Sequence, residues 1–325
     1  MQPAITPSIP ASPTPPKMES NDLNLVKPTV APLGTRFLQG LLFVLPMGFV
    51  LLWSTGFIVA KFGLPYAPPL TFLLMRFAGV LIVLVPLVLI LKAPWPVGKI
   101  RHIAAAGLLL QAGYLAGVWC AIKLGMPAGI SALIVGMQPI LTAVAARWIG
   151  EAVSPRQWIG LLLGLSGVGL VVAAKISLVG LSWVSISFAV MALISITLGT
   201  LYQKHHCPRF DLRTGTIIQF SASFVAILPF AIAFEHLSPG LPTVQWTPSF
   251  IGALLWSIFA LSIGAIFLLF TLIRKSAATS VTSLLYLTPP TTAVMAWLMF
   301  GEAFNLLGII GMLVAIAGVV FVVKK

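Results

Sequence analysis

Residues 138–152 read QPILTAVAARWIGEA, and residues 289–303 read PPTTAVMAWLMFGEA. Each stretch places a proline twelve positions ahead of a glutamate, runs apolar between them and ends in Gly-Glu-Ala. The same helix-and-junction pattern recurring at an offset of 151 residues indicates an internal duplication. Laying segment 127–174 on 278–325 without gaps extends the match. Pro139 falls on Pro290, Gly150-Glu151-Ala152 on Gly301-Glu302-Ala303, and Gly160 on Gly311. Gly167-Val168 falls on Gly318-Val319, and Val171-Val172 on Val322-Val323. A fainter echo at an offset of 143 sets Gly56 on Gly199 and Lys61 on Lys204.

Composition says what kind of helix is duplicated. Of 325 residues, 59% are hydrophobic and only 8% are charged; mean hydropathy is +1.08. A soluble domain carries about 25% charged residues. The balance excludes a cytosolic enzyme, a disordered chain and a secreted disulfide scaffold, and leaves a membrane protein. Two cysteines, Cys120 and Cys207, make no disulfide framework.

Charges are expensive in hydrocarbon, so they cut the chain into spans. A spanning helix needs about 20 apolar residues. The cuts predict ten, near 37–60, 69–91, 103–122, 128–146, 157–174, 182–202, 214–234, 249–273, 278–299 and 305–323. The expected fold is therefore all-α and polytopic. Residues 1–36 form a Pro-rich disordered tail, 37–175 a first five-helix repeat and 176–325 a second. Five is odd, so the second repeat enters the membrane upside down. The tail lacks a secretory cleavage pattern, so the first span is expected to be retained; Met18 is a second candidate start.

The formal net charge of +13 would point to nucleic acid in a soluble protein. Here fifteen of the 19 Lys and Arg fall in the tail, the alternate loops and the C-terminus. Lys61, Lys123 and Lys175 fall on the opposite side, and Arg76 alone lies inside a span. By the positive-inside rule both termini are cytoplasmic. The basic excess is a topological bias, and no nucleic-acid partner is expected.

Several of these residues carry a family resemblance. Trp53-Ser54-Thr55-Gly56-Phe57 followed by Lys61, then Pro69 and Arg76, resembles the opening of the EamA family in the drug/metabolite transporter superfamily. So do Ala128-Gly129, Gln138-Pro139 and Gly150-Glu151, with Ala277-Ala278, Pro289-Pro290 and Gly301-Glu302 in the second half. The resemblance covers roughly residues 40–323. It implies a 5+5 inverted repeat in the bacterial inner membrane, exporting amino acids or other small metabolites. Inverted repeats place a substrate site near the midplane between the halves.

Polar side chains at mid-depth are the candidates for function, because a hydroxyl or amide in lipid lacks water. The third span sets Gln111 and Tyr114 on one helical face. The fourth offers Gln138, the eighth Trp256 and Ser262, and the ninth Tyr286 and Thr288. The first contributes Trp53, Ser54 and Thr55. Together they predict a substrate cavity with amides and hydroxyls for polar groups and aromatics for an apolar part. The competing role of each is to join helices, worth about 0.6–2 kcal/mol. Arg76 either pairs with a substrate carboxylate or snorkels to an interface. Pro139, Pro289 and Pro290 remove backbone donors in mid-membrane and are expected to act as hinges, or simply as kinks.

All 6 acids (Glu19, Asp22, Glu151, Asp211, Glu235 and Glu302) lie in the tail or at junctions. A mid-membrane carboxylate for proton coupling is missing, so facilitated transport is the simplest reading. Glu151 and Glu302 suit helix capping. His205-His206-Cys207 cannot all face one ion, so no metal is expected, and no cofactor either. A membrane-embedded enzyme or a sensor is the alternative, yet DxxxD, HExxH and GxxxxGK[ST] patterns are all missing. Glycine stripes at Gly160, Gly164 and Gly167, and at Gly308, Gly311 and Gly318, allow close helix contact within the chain or in a homodimer. The expected partners are a small-molecule substrate and membrane lipid.

Overall fold

The computed structural model describes residues 33–126, 131, 134–146, 148, 150–173, 182–236, 244–300 and 306–323. The tail to residue 32, Ala128-Gly129, Lys175 and Gly301-Glu302-Ala303 lie outside the described residues, as do the side chains of Lys61 and Pro289. Contacts divide the chain after Leu41, and the bundle considered below begins at Leu42.

Every described element is helical. In chain order they are α1 (Leu33–Gly63), α2 (Pro69–Ile90), α3 (Ile100–Lys123), α4 (Gln138–Ala146) and α5 (Pro155–Ala173). Then come α6 (Trp183–His206), α7 (Leu212–Glu235) and α8 (Pro248–Lys275). Next is α9, which comprises Ala278–Ser283, a 3-10 turn over Leu284–Leu287 and Thr288–Phe300; α10 (Leu306–Val323) follows. Among the described residues six of these, α2, α3, α6, α7, α8 and α10, are long and apolar enough to cross a membrane. The molecule is a multi-pass membrane protein.

Local chemistry sets the helix starts. Ser154 and Gln157 exchange side-chain-to-backbone hydrogen bonds ahead of α5, and Ser182 and Ser185 form a capping box on α6. Thr247 accepts from the Phe250 N–H at the start of α8. Asp211 accepts from the N–H groups of Arg213 and Thr214 on α7 and pairs with the Arg213 guanidinium. That guanidinium first, and the two N–H groups after it, hold the Asp211 carboxyl below the usual carboxylate range. The native pKa is depressed, so its stabilisation is present above the ordinary carboxylate pKa and is lost as pH falls through the native one. Asp211→Ala should cost about 1 kcal/mol in a detergent melting assay near neutral pH, and the gap to the parent should shrink on acidification.

The two halves break in corresponding places. Gly136 and Met137 form a turn, after which α4 starts with Pro139 second. In α9 the 3-10 turn precedes a helix that starts at Thr288, with Pro289-Pro290 next. Proline needs no N–H donor in a first turn, so both helices resume at the prolines rather than kinking around them. A second pair of irregularities has no proline. π-helical segments cover Leu108–Gly113 in α3 and Ser257–Ala265 in α8, five helices apart.

Glycines make the closest helix contact. Gly160 and Gly164 of α5 face Gly318 of α10, and Gly167 faces Gly311 and Ala315. The stripes are thus used within the chain, backbone against backbone. A Cβ on Gly318 would sit 2.6 Å from the Gly160 carbonyl oxygen and 2.7 Å from Gly164 Cα. Gly318→Ala should therefore destabilise by about 1–3 kcal/mol, read as a lower midpoint of thermal aggregation.

Side-chain contacts fix which helix ends share a level. The Glu235 carboxylate accepts from the N–H groups of Leu70 (2.8 Å) and Thr71 (2.7 Å) and from the Thr71 hydroxyl. The end of α7 therefore meets the start of α2, beside the end of α1; we call this the Gly63 end. At the opposite, Ser276 end, the Glu151 carboxylate accepts from the Ala278 N–H (2.9 Å). Lys204 of α6 donates to the carbonyls of Ile273 (2.8 Å) and Ser276 and lies 3.6 Å from Glu151.

Candidate functional site

The π segment of α8 builds the polar centre of the bundle. A π turn shifts the hydrogen-bond ladder by one residue and often marks a functional site. Here the Ser262 hydroxyl donates to the carbonyl of Ser257, five residues back (2.8 Å), and accepts from Arg76 Nε (2.7 Å). Arg76 is 5% exposed, and among the described residues no carboxylate pairs with it. A buried cation without a counter-charge is costly unless something else supplies one.

What Arg76 faces is a small cavity between α1, α2, α3 and α8, of about 60 Å3. Trp53, Arg76, Gln111 and Tyr114 are among its walls, with Leu110, Leu115, Val118, Trp119, Ile122, Leu261 and Ile266 as apolar lining. The Trp53 and Tyr114 rings lie parallel within 10°, centroids 6.3 Å apart. Gln111 is buried, and it lines the cavity. The lining continues along α1 to Ala60 and along α3 to Ile122, toward the Gly63 end.

The candidate residues separate into two groups. Trp53, Arg76, Gln111 and Tyr114 meet at the cavity, and Ser262 orients the cation from behind. The rest join helices. Thr55 donates to the Leu52 carbonyl and accepts from the Trp256 indole (2.8 Å), and Trp256 is half exposed on the outer surface. Ser54 donates to the Val50 carbonyl, and Thr292 donates to the Ser54 carbonyl, tying α1 to α9. Gln138 donates to the Thr200 hydroxyl of α6 (3.2 Å). Tyr286 is fully buried against Gly164, and Thr288 is buried with it. Pro139 and Pro290 are buried at the restarts of α4 and α9.

The acids among the described residues all serve helix ends. Glu151 caps α9, Asp211 caps α7 and Glu235 caps α2, whose own N-terminus has only Pro68 and Pro69. His206 stacks on Tyr202 and His102, and among the described residues no cluster of His, Cys, Asp and Glu could hold a metal. The apolar lining went unread in the sequence because Leu, Val and Ile are everywhere in it. A wider apolar groove on the other side of α3, lined by Phe188, Met191, Phe230 and Phe234, faces outward.

The chain is a multi-pass helical bundle with a small, mostly apolar cavity into which Arg76, Gln111 and Tyr114 bring polar groups; its relatives are membrane transporters. The chain belongs to the EamA-like transporter family, whose model matches residues 38–173 and again 183–324. It is 30% identical over 288 residues to the uncharacterized transporter YvbV of Bacillus subtilis, covering 85% of this chain and 89% of that one. It is 26% identical to a probable amino-acid metabolite efflux pump of Salmonella typhimurium, covering 83% and 90%. The uncharacterized inner membrane transporter YedA of Escherichia coli is 28% identical over 78% of this chain and 81% of its own length. One crystal structure superposes with a TM-score of 0.67 at 18% identity, over 86% of this chain and 96% of that one, a likeness of fold.

Proposed function

We propose that this transporter exports small metabolites bearing a carboxylate and an apolar or aromatic part, amino acids and their relatives among them. The observation that carries the reading is Arg76, buried at the cavity wall with Ser262 as its partner and, among the described residues, no anion to neutralise it. A substrate carboxylate supplies the missing charge, in the planar two-point geometry a guanidinium favours. Trp53 and Tyr114 offer flat faces to an apolar side chain, and Gln111 an amide to an amino group. The curated name of the Salmonella relative points to the same chemical class.

The topology that serves this function is ten spans in a 5+5 inverted repeat, with both termini in the cytoplasm of a bacterium and the chain in its inner membrane. Lys and Arg fall mostly on the loops that this orientation makes cytoplasmic. Transport proceeds by alternating exposure of the Arg76 cavity, with the breaks ahead of Pro139 and Pro290 taking up the bend. The substrate gradient drives it; in support, the acids among the described residues, Glu151, Asp211 and Glu235, are committed to helix ends. The test is counterflow of labelled amino acids in proteoliposomes. Uptake should need Arg76 and should persist with a protonophore present. Uptake that collapses with the proton gradient overturns the uncoupled mechanism.

A further inference from the structure

Buried polar atoms without a partner are uncommon, because each costs about 1–3 kcal/mol. Among the described residues eight side-chain atoms are in that condition, and six belong to two stretches of chain that the repeat makes equivalent. Ser131, Gln138 (through Oε1) and Thr142 lie on or just ahead of α4; Thr279, Tyr286 and Thr288 lie on α9. All six residues are at most 5% exposed.

Ordinary helix chemistry does not account for them. Threonine in an apolar helix normally satisfies itself on a carbonyl one turn back. Thr197, Thr200, Thr216 and Thr271 all do so here, each to the residue four before it. Thr142 and Thr279 do not. Both lie close to where α4 and α9 meet, since Ala145 and Ala278 pack together with Leu201 of α6. The seam runs from the level of Gln138 toward the Ser276 end, and there it is fastened by charge. Glu151 holds the Ala278 N–H while Lys204 ties Glu151 to the end of α8.

We infer that the α4–α9 seam is the second vestibule of the transport path, closed in this conformation. When the Gly63 end shuts, the seam parts. Gln138, Thr142 and Thr279 then line a watered passage from the Arg76 cavity to the Ser276 end. Their orphaned atoms find partners in that water and in the passing solute, and their desolvation in the present conformation is what the Glu151 and Lys204 contacts offset. This rests on the alternating exposure proposed above and deepens it, naming hydroxyl and amide groups as what a carboxylate-bearing solute meets on that side.

The experiment reads water access, with no substrate needed. In a chain with Cys120→Ala and Cys207→Ala, single replacements Thr142→Cys and Thr279→Cys are exposed to a membrane-impermeant maleimide in vesicles of each orientation. Val144→Cys, on a residue 53% exposed on the outside of the bundle, is the lipid-facing control. Both test cysteines should react from the Ser276 end only. Glu151→Ala should speed that reaction about tenfold or more, the equivalent of one lost charge-assisted hydrogen bond. Lys204→Met loosens the same fastening from the other partner and should act in the same direction, so a poorly folded Glu151→Ala does not end the test. Cysteines that react no faster than Val144→Cys in every background, in chains that run as single species on size exclusion, overturn the inference. Labelling in a chain that moves no carboxylate would refute the proposed solute and keep the vestibule; transport without labelling would do the reverse.

Discussion

Arg76→Gln should cut transport of a carboxylate-bearing substrate roughly 100-fold and leave the protein as stable as before or more so. The two effects come from one imbalance. Arg76 is buried with a single hydrogen-bond partner, Ser262, and no acid nearby among the described residues. Breaking a buried, hydrogen-bonded charge pair typically costs about 2–5 kcal/mol, and 1.4 kcal/mol is tenfold. Removing an uncompensated charge from the empty site relieves the desolvation penalty, so melting should not suffer. Arg76→Lys should keep part of the activity, because it restores the charge but not the planar fork. Proteoliposome counterflow read beside a thermal shift separates these outcomes. A melting point that falls in parallel with transport would make Arg76 a structural residue, and the carboxylate reading would fail.

Glu235→Ala should cost the protein a large share of its stability. Its two oxygens serve three donors at the head of α2, the N–H groups of Leu70 and Thr71 and the Thr71 hydroxyl. Pro68 at the cap position provides no side-chain cap, so nothing local replaces them. Hydrogen bonds to a charged group contribute about 1.5–3 kcal/mol each and are not additive. A loss of about 3 kcal/mol is expected, with a smaller one for Glu235→Gln, which keeps an acceptor. The contact also joins the end of α7 to the start of α2, so the variant should loosen the Gly63 end. Unchanged melting for Glu235→Ala would mean that water caps α2 equally well.

The helix breaks show where sequence reasoning succeeded and where it stopped. Pro139 and Pro289-Pro290 were visible as interruptions, because proline acts through its own ring and missing donor. The π segments at Leu108–Gly113 and Ser257–Ala265 had no such marker. Their residues are ordinary apolar and small ones, and the shift in ladder is decided by what packs against them. Ser262 was legible as a polar residue at mid-depth but not as the support of Arg76, since its direction depends on that shifted turn. Trp256 and Thr55 were expected at a cavity wall; the structure turns them toward each other at the edge of α1.

The acids make the same division. Their absence from mid-membrane could be read directly, and so could a capping role for Glu151, because it follows a glycine at a helix junction. That Glu151 caps α9, 127 residues further on, and that Glu235 caps α2, 165 residues earlier, could not. By itself, then, the sequence determined the apolar helical class, the duplication and the lone Arg76, because composition, repetition and charge are properties of the chain in order. Only the tertiary structure decided which four polar side chains share a cavity and which helix ends hold one another. Those depend on helix rotation and on contacts across more than a hundred residues, and a sequence of nearly uniform apolar helices carries too little contrast to fix either.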